Sequence, residues 1–242
     1  IEVSGANLCS CVPMFFIAAS GSRVRGLLID HTSSSGILIQ AISGTTSDVV
    51  VEGNFIGVDA TGMNVAASTN QAPVKIIGNA NRLGGTTPAE RNVIGGGGNS
   101  IVLTGGTGNI IQGNYIGVSA DGAQGLQPNA DGFPTTAIDL SGGGATNGTL
   151  VGGSVPGAGN VLFGTYAAIH LGSLAQNAVI KGNYIGTDAT GSHALGGGGY
   201  GIMIIGATNT TIGGVGAGNV ISGYGDAITT YNPEAEPGTV IQ

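Results

Sequence analysis

The sequence predicts an all-β fold, a right-handed parallel β-helix (solenoid) of about seven to eight coils with an internal Asn ladder. Three observations carry this expectation. Two phrases alternate along the chain, each phrase places an Asn directly before an apolar pair, and 49 of the 242 residues are glycine, against a usual share of about 7%.

The first phrase occurs as Val49–Gly57 (Val-Val-Val-Glu-Gly-Asn-Phe-Ile-Gly), Asn109–Gly117 and Ala178–Gly186. The second occurs as Leu83–Gly95, Val151–Phe163 and Ile212–Ser222. Together they set one register at Asn54, Asn92, Asn114, Asn160, Asn183 and Asn219, with long and short intervals alternating, and Val24–Ile29 fits the same frame with Leu27 at the Asn position. Repeats of this kind decide an architecture before any other signal. Each short interval holds three brief apolar runs broken by Gly, Asn, Ser or Thr, such as Asn92-Val-Ile, Ser100-Ile-Val-Leu and Asn109-Ile-Ile-Gln. Helices have no room there. Alternating runs with glycine punctuation read as short strands joined by tight bends, and three strands per turn make a parallel coil whose crossovers are right-handed. Stacked about 4.8 Å apart, the six Asn amides donate each to the next and satisfy groups that the bend leaves unpaired.

Composition excludes several classes. Low charge with 41% hydrophobic residues argues against disorder, and eight prolines without a glycine at every third position exclude collagen. The longest apolar run, Met14 to Ala19, falls far below the ~18 residues of a membrane-spanning helix. A net charge of −7 without a basic cluster points away from nucleic acid. Cys9 and Cys11 are the only cysteines. On an extended strand they sit too far apart for a relaxed mutual disulfide, so two buried small hydrophobes are expected, and two ligands are too few for zinc.

The phrases Gly182–Gly191 (Gly-Asn-Tyr-Ile-Gly-Thr-Asp-Ala-Thr-Gly) and Pro156–Val161 (Pro-Gly-Ala-Gly-Asn-Val) resemble the right-handed parallel β-helix repeats of the pectin-lyase-like superfamily, of the secreted bacterial repeat type. The resemblance runs from about Val24 to the end. It implies the fold and a secreted or cell-surface location, and it leaves activity open, because that superfamily holds polysaccharide lyases, hydrolases, epimerases, tailspikes and adhesive stalks. Leu27–His31 is similar to a pectate-lyase strand motif with a calcium-binding Asp. The lyase's Arg-rich segment is not matched, since no column is expected to join an Arg to a carboxylate cluster, and the Asp-Asp and Gly-His-Gly signatures of polygalacturonase-type hydrolases do not occur. Thr239–Gln242 aligns with the strand Ile110–Gln112 just before a Gly-Asn step, so residues 1–242 are read as a single β-helix domain that is a segment of a longer solenoid.

A repeat in register lets outward residues be read as columns. One column runs Leu38, Lys75, Val102, Asp139, His170, Met203 and Thr229, and the next runs Gln40, Ile77, Thr104, Ser141, Gly172, Ile205 and Tyr231. Asp139 and His170 become neighbours, close enough for the carboxylate to raise the imidazole pKa and form a catalytic acid/base pair. The competing reading is an ordinary exposed ion pair. Three long loops, Asp59 to Ala72, Ser119 to Thr136 and Asp188 to Tyr200, leave one corner and lead into this strand. They are expected to wall a groove for an extended polymer, bringing Lys75, Asp131, Tyr200 and His193 near the pair as glycan-binding residues.

The loop openings Asp59-Ala-Thr-Gly62, Ser119-Ala-Asp-Gly122 and Asp188-Ala-Thr-Gly191 each hold one carboxylate. Loops two coils, or about 9.6 Å, apart cannot supply the six to eight oxygens that Ca²⁺ takes. No metal or cofactor is expected, and an Asx turn closed by glycine is the reading. Phe55, Tyr115 and Tyr184 follow the ladder Asn in the coils that bear a long loop. Packing beneath the loop is favoured over stacking on sugar rings.

Two functions follow from these residues. One is an extracellular structural or adhesive scaffold that recognises glycans, its partners being a polysaccharide or self-association along the solenoid. The other is a polysaccharide-active lyase or hydrolase built on Asp139 and His170. Ice binding by a Thr array is disfavoured, because Thr does not repeat in one outward column. The repetition favours the scaffold.

Overall fold

A computed structural model describes the chain except for residues 8, 10, 11, 32, 33, 67–71, 127–133 and 232–236. The described strands stack into three eight-stranded parallel sheets, one strand per sheet in each of eight coils. The first sheet runs Glu2–Ser4, Leu28–Asp30, Phe55–Ile56, Val93–Ile94, Tyr115–Ile116, Val161–Leu162, Tyr184–Ile185 and Val220–Ile221. The second runs Phe15–Ile17, Ile37–Gln40, Val74–Ile77, Asn99–Leu103, Thr136–Leu140, Ala167–Leu171, Tyr200–Ile205 and Asp226–Tyr231. The third runs Arg23–Arg25, Val50–Glu52, Arg82–Gly84, Ile110–Gln112, Leu150–Gly152, Val179–Lys181, Thr211–Ile212 and Val240–Ile241. A short fourth sheet joins Gly106–Thr107, Thr146–Asn147 and Ala175–Gln176. The architecture is a parallel β-helix, and Pro88–Glu90 forms one 3₁₀ turn in it.

Alternation places one column of aliphatic side chains from each sheet on the axis. Ile56, Ile94, Ile116, Ile101, Ile138, Ile169, Leu83, Ile111 and Ile180 all have no exposed surface. Each such side chain contributes about 1.5–3 kcal/mol of burial, and each meets its own kind in the next coil.

The six Asn form the ladder. Nδ2 of Asn54 donates to Oδ1 of Asn92 at 3.0 Å, and the chain of amides continues to Asn114 (2.9 Å), Asn160 (3.1 Å), Asn183 (2.9 Å) and Asn219 (3.0 Å). Each Oδ1 also accepts the backbone N–H of the preceding rung, and at the N-terminal end that donor is Leu27 N–H. A second, shorter ladder stands at the corner entering the third sheet. Asn81 Nδ2 donates to Asn109 Oδ1 at 3.0 Å, both residues being fully buried. The repeat phrases do not mark it, because Thr149, Ala178 and Thr210 hold the same register in later coils.

At this corner every coil turns through one left-handed residue two positions before the third sheet: Gly21, Asp48, Ala80, Gly108, Gly148, Asn177, Asn209 and Gly238, with φ between 51° and 79°. Asn, Asp and Gly tolerate that region, which explains all of these residues except Ala80.

One sequence expectation fails near the start. Cys9 is exposed and disulfide-bonded, so it is not a buried small hydrophobe. Cys11 lies outside the described residues.

Candidate functional site

The second sheet carries the first column in the expected register, and of the second column Gln40 pairs with Ile77 and Ile205 with Tyr231. Leu38 pairs with Lys75, Lys75 with Val102, Val102 with Asp139, Asp139 with His170, His170 with Met203 and Met203 with Thr229. Asp139 Oδ1 and His170 Nδ1 are 3.5 Å apart, and the two side chains are 10% and 18% exposed. Both side chains are largely buried, more so than those of an ordinary surface ion pair.

Asp139 is committed to other partners. Its Oδ1 accepts Ser141 N–H at 2.8 Å and Ser141 Oγ–H at 2.5 Å, while Oδ2 accepts Asn99 Nδ2 at 2.7 Å. Ser141 shares the outward face two residues on and was visible in the columns. Asn99 opens the neighbouring strand and carried no such signal. His170 Nε2 is sealed from solvent without a hydrogen-bond partner among the described residues. Burial pushes the imidazole pKa below its usual 6.5, and the opposing pull of Asp139 is the smaller effect. This reverses the expected rise: taking a cation out of water costs more than one partly occupied carboxylate returns.

Of the residues expected around the pair, Lys75 and His193 do not reach it. Lys75 is half-buried two strands from Asp139, with Val102 between them. His193 is exposed and bonds Asp188 Oδ2 through Nδ1 at 2.9 Å, within its own loop. Asp131 lies outside the described residues. Tyr200 does cross this face. Its hydroxyl meets that of Tyr231 at 2.7 Å, its ring packs edge-on against Tyr166 and Tyr231, and the Tyr166 hydroxyl donates to Met203 Sδ at 3.6 Å.

The long loops differ most from expectation. Each begins as a hairpin, with antiparallel bridges Val58 to Val65, Val118 to Gly125 and Thr187 to Ala194. In two of them the Asx turn forms as read. Asp59 Oδ1 accepts Thr61 N–H, Thr61 Oγ–H and Met63 N–H, and Oδ2 accepts Asn64 Nδ2. Asp188 accepts from Thr190, Ser192 and His193 in the same way. In the middle hairpin Asp121 takes this part, accepting Ser119 Oγ–H and Ala123 N–H. At Asp59 burial raises the carboxyl pKa, and these hydrogen bonds outweigh it and bring it down to about 2.

The hairpins are not separated by a two-coil gap. Ala120 N–H donates to Gly62 O and Ala189 N–H to Gly122 O, both at 2.9 Å. They lean together across the short coils and close two satellite cores. Val58, Val93 and Leu126 pack with Phe55 and Tyr115, and Val118, Val161 and Phe163 pack with Tyr115 and Tyr184. The aromatic row does lie beneath the loops: a Cβ on Gly62, Gly122 or Gly191 would come 3.1, 3.0 or 2.7 Å from the ring of Phe55, Tyr115 or Tyr184.

Beside this row, at the corner between the third and first sheets, two clefts open. One of about 400 Å³ is lined by Tyr115, Tyr184, Arg91, Ser154, Gly159 and neighbouring glycines. Another of about 340 Å³ is lined by Phe55, Gly26, Gly53 and Leu27 among others. Between them the Arg91 guanidinium lies 4.2 Å over the Tyr115 ring, and its Nε donates to Gly113 O at 3.3 Å.

The third sheet carries an ion cluster that the repeat phrases do not mark. Glu52, 2% exposed, is ringed by Arg82 at 2.8 Å, Arg23 at 3.5 Å and Arg25 at 3.7 Å, and Arg82 also reaches Glu90 at 3.3 Å. Of these, Arg25 and Glu52 are paired in one column, a single carboxylate and not a carboxylate cluster. Every described oxygen of the Glu52 carboxylate faces a guanidinium, which makes the cluster a clamp between coils.

Among the described residues no group of three or more His, Cys, Asp or Glu is placed to hold a metal ion, and no helix is long and apolar enough to cross a membrane. No protein-family model matches the chain, and a search of curated proteins finds no match either.

Proposed function

We propose that this chain is an extracellular or cell-surface β-helix scaffold of the pectin-lyase-like kind, adhesive through glycan recognition and without chemistry of its own. One observation carries the reading. The residues that break the repeat, Asp139 and His170, are folded into the wall, with Asp139 held by Ser141 and Asn99 and His170 Nε2 closed to solvent. A general acid or base must come within hydrogen-bond reach of a substrate proton, and neither group is presented to one. The Cys9 disulfide suits an oxidising compartment.

The alternative, a polysaccharide lyase or hydrolase, draws on the same Nε2, which has no hydrogen-bond partner among the described residues. Incubation with a panel of polysaccharides, followed by assays for unsaturated and reducing ends, separates the two. The scaffold releases no product. Turnover that is lost in His170→Ala and kept in Gln112→Ala overturns the proposal.

A further inference from the structure

The aromatic row on the first sheet repeats, and its cover does not. Each ring has one side against the glycine of its hairpin. By register, the residue available to cover the other side is the one that precedes the ladder position in the previous coil. For Tyr115 that residue is Arg91, whose guanidinium covers the ring. For Tyr184 it is Gly159, and for Phe55 it is Gly26. No side chain is supplied at either place; Phe55 lines the smaller cleft, and Tyr184 lines the larger one together with the covered Tyr115. At Gly159 none fits, because a Cβ would drive into the Gly182 carbonyl.

We infer that Phe55, Tyr115 and Tyr184 form a track along the solenoid axis for an extended, uncharged glycan, with Phe55 and Tyr184 as open stacking platforms and Arg91 closing the platform between them. This rests on the reading that the surface recognises glycans, and it moves that recognition from the second sheet to the hairpin corner.

Spacing selects the ligand. The rings occur every second coil, so they recur at about 9.6 Å. An extended chain of β-linked pyranoses repeats every two sugars over nearly that distance, so sugars four residues apart present the same face to the two open rings, Phe55 and Tyr184, which stand four coils apart, and the chain passes between them over the ring that Arg91 covers. A helically coiled α-linked chain does not keep this register. The lining suits sugars in its chemistry as well, with aromatic faces for ring C–H groups and the Ser154 hydroxyl and glycine backbone for hydroxyls. Pockets of this make-up bind through an apolar floor and a few placed polar groups. Among the described residues Arg91 is the only charged one lining the larger cleft and is already engaged with Tyr115 and Gly113, and Glu2 at the smaller cleft disfavours an anionic ligand, so an uncharged one fits.

The test titrates the protein with cellotetraose, xylotetraose, mannotetraose, chitotetraose and, as the coiled counterpart, maltotetraose, following tyrosine-ring NMR shifts and calorimetry. At least one β-linked tetrasaccharide binds with shifts at Tyr184, and maltotetraose does not. Tyr184→Leu weakens binding about tenfold, as loss of an aromatic face does, and Tyr184→Phe, which keeps the face and serves as the folding control, retains it. Binding that survives both Tyr184→Leu and Phe55→Leu but falls in Tyr200→Leu overturns the track and leaves glycan recognition standing on the second sheet. Equal binding of maltotetraose overturns the spacing argument and the track with it. Failure of every tetrasaccharide to bind overturns both the track and the glycan reading.

Discussion

Replacing Asn114 by Leu, which is similar in size and cannot hydrogen-bond, tests whether the ladder holds the coils together. The side chain of Asn114 is fully buried. Its Oδ1 accepts Asn92 N–H (3.2 Å) and Asn92 Nδ2 (2.9 Å), and its Nδ2 donates to Leu83 O (3.0 Å), Gln112 O (2.9 Å) and Asn160 Oδ1 (3.1 Å). A neutral hydrogen bond is worth about 1 kcal/mol net, and a buried donor left without a partner costs about 1–3 kcal/mol. Asn160 Oδ1 keeps the Asn114 backbone N–H and Asn92 Nδ2 keeps Val51 O, so the loss falls chiefly on Asn92 N–H and two carbonyls. The sum is about 4 kcal/mol, or roughly 8–16 °C in Tm for a chain of this size. The comparison is Asn219→Leu at the last rung. That residue is half-buried and makes three such bonds, accepting Asn183 N–H and Nδ2 and donating to Ile180 O. Water replaces part of these, so its cost is about 1 kcal/mol. Differential scanning calorimetry with urea titration measures both. If Asn114→Leu melts within about 2 °C of the unaltered protein, or no lower than Asn219→Leu, the ladder is not what holds the coils.

The remaining predictions concern pH, backbone and ions. The folded-state pKa of His170 lies below 6.5 because of burial, so the unfolded chain takes up the proton first. The associated stability is complete above about pH 6.5 and is lost as the pH falls through 6.5 towards the lowered folded value; His170→Gln flattens that part of a Tm-against-pH curve. Gly117 has φ +67° and a Cβ there would drive into the Phe163 carbonyl, whereas Gly143 has φ +89° with nothing near. Gly117→Ala therefore destabilises well beyond the roughly 1–2 kcal/mol of conformational strain expected at Gly143→Ala, and equal losses in urea titration would show that crowding at Gly117 is relieved. Asp59, Asp121 and Asp188 already accept protein donors, so EDTA shifts Tm by less than about 1 °C; a larger fall would reveal a bound cation.

Particular residues show how far the sequence could be read. The Asn register was legible because coils stack at one spacing, so residues in equal register become neighbours in space, as at each rung from Asn54 to Asn219. The same rule placed Asp139 beside His170 and put Phe55, Tyr115 and Tyr184 under hairpins. It failed at Asn81 and Asn109, whose ladder is only two rungs long, and at Asn99, which reaches Asp139 from the start of the neighbouring strand.

The sequence by itself determined the coil, its register, its core columns and its main ladder, because these depend only on residues that recur. The tertiary structure decided what happens outside the coil, which depends on how non-repeating side chains and loops lean. It closed His170 Nε2 off from solvent, drew three Arg around Glu52, bonded each hairpin to the next across a short coil, and laid Arg91 over Tyr115, where Phe55 and Tyr184 have glycine at the equivalent place. Register fixes which strands meet, whereas burial and access are set by the direction in which each side chain leaves its strand and by what the neighbouring coils place over it.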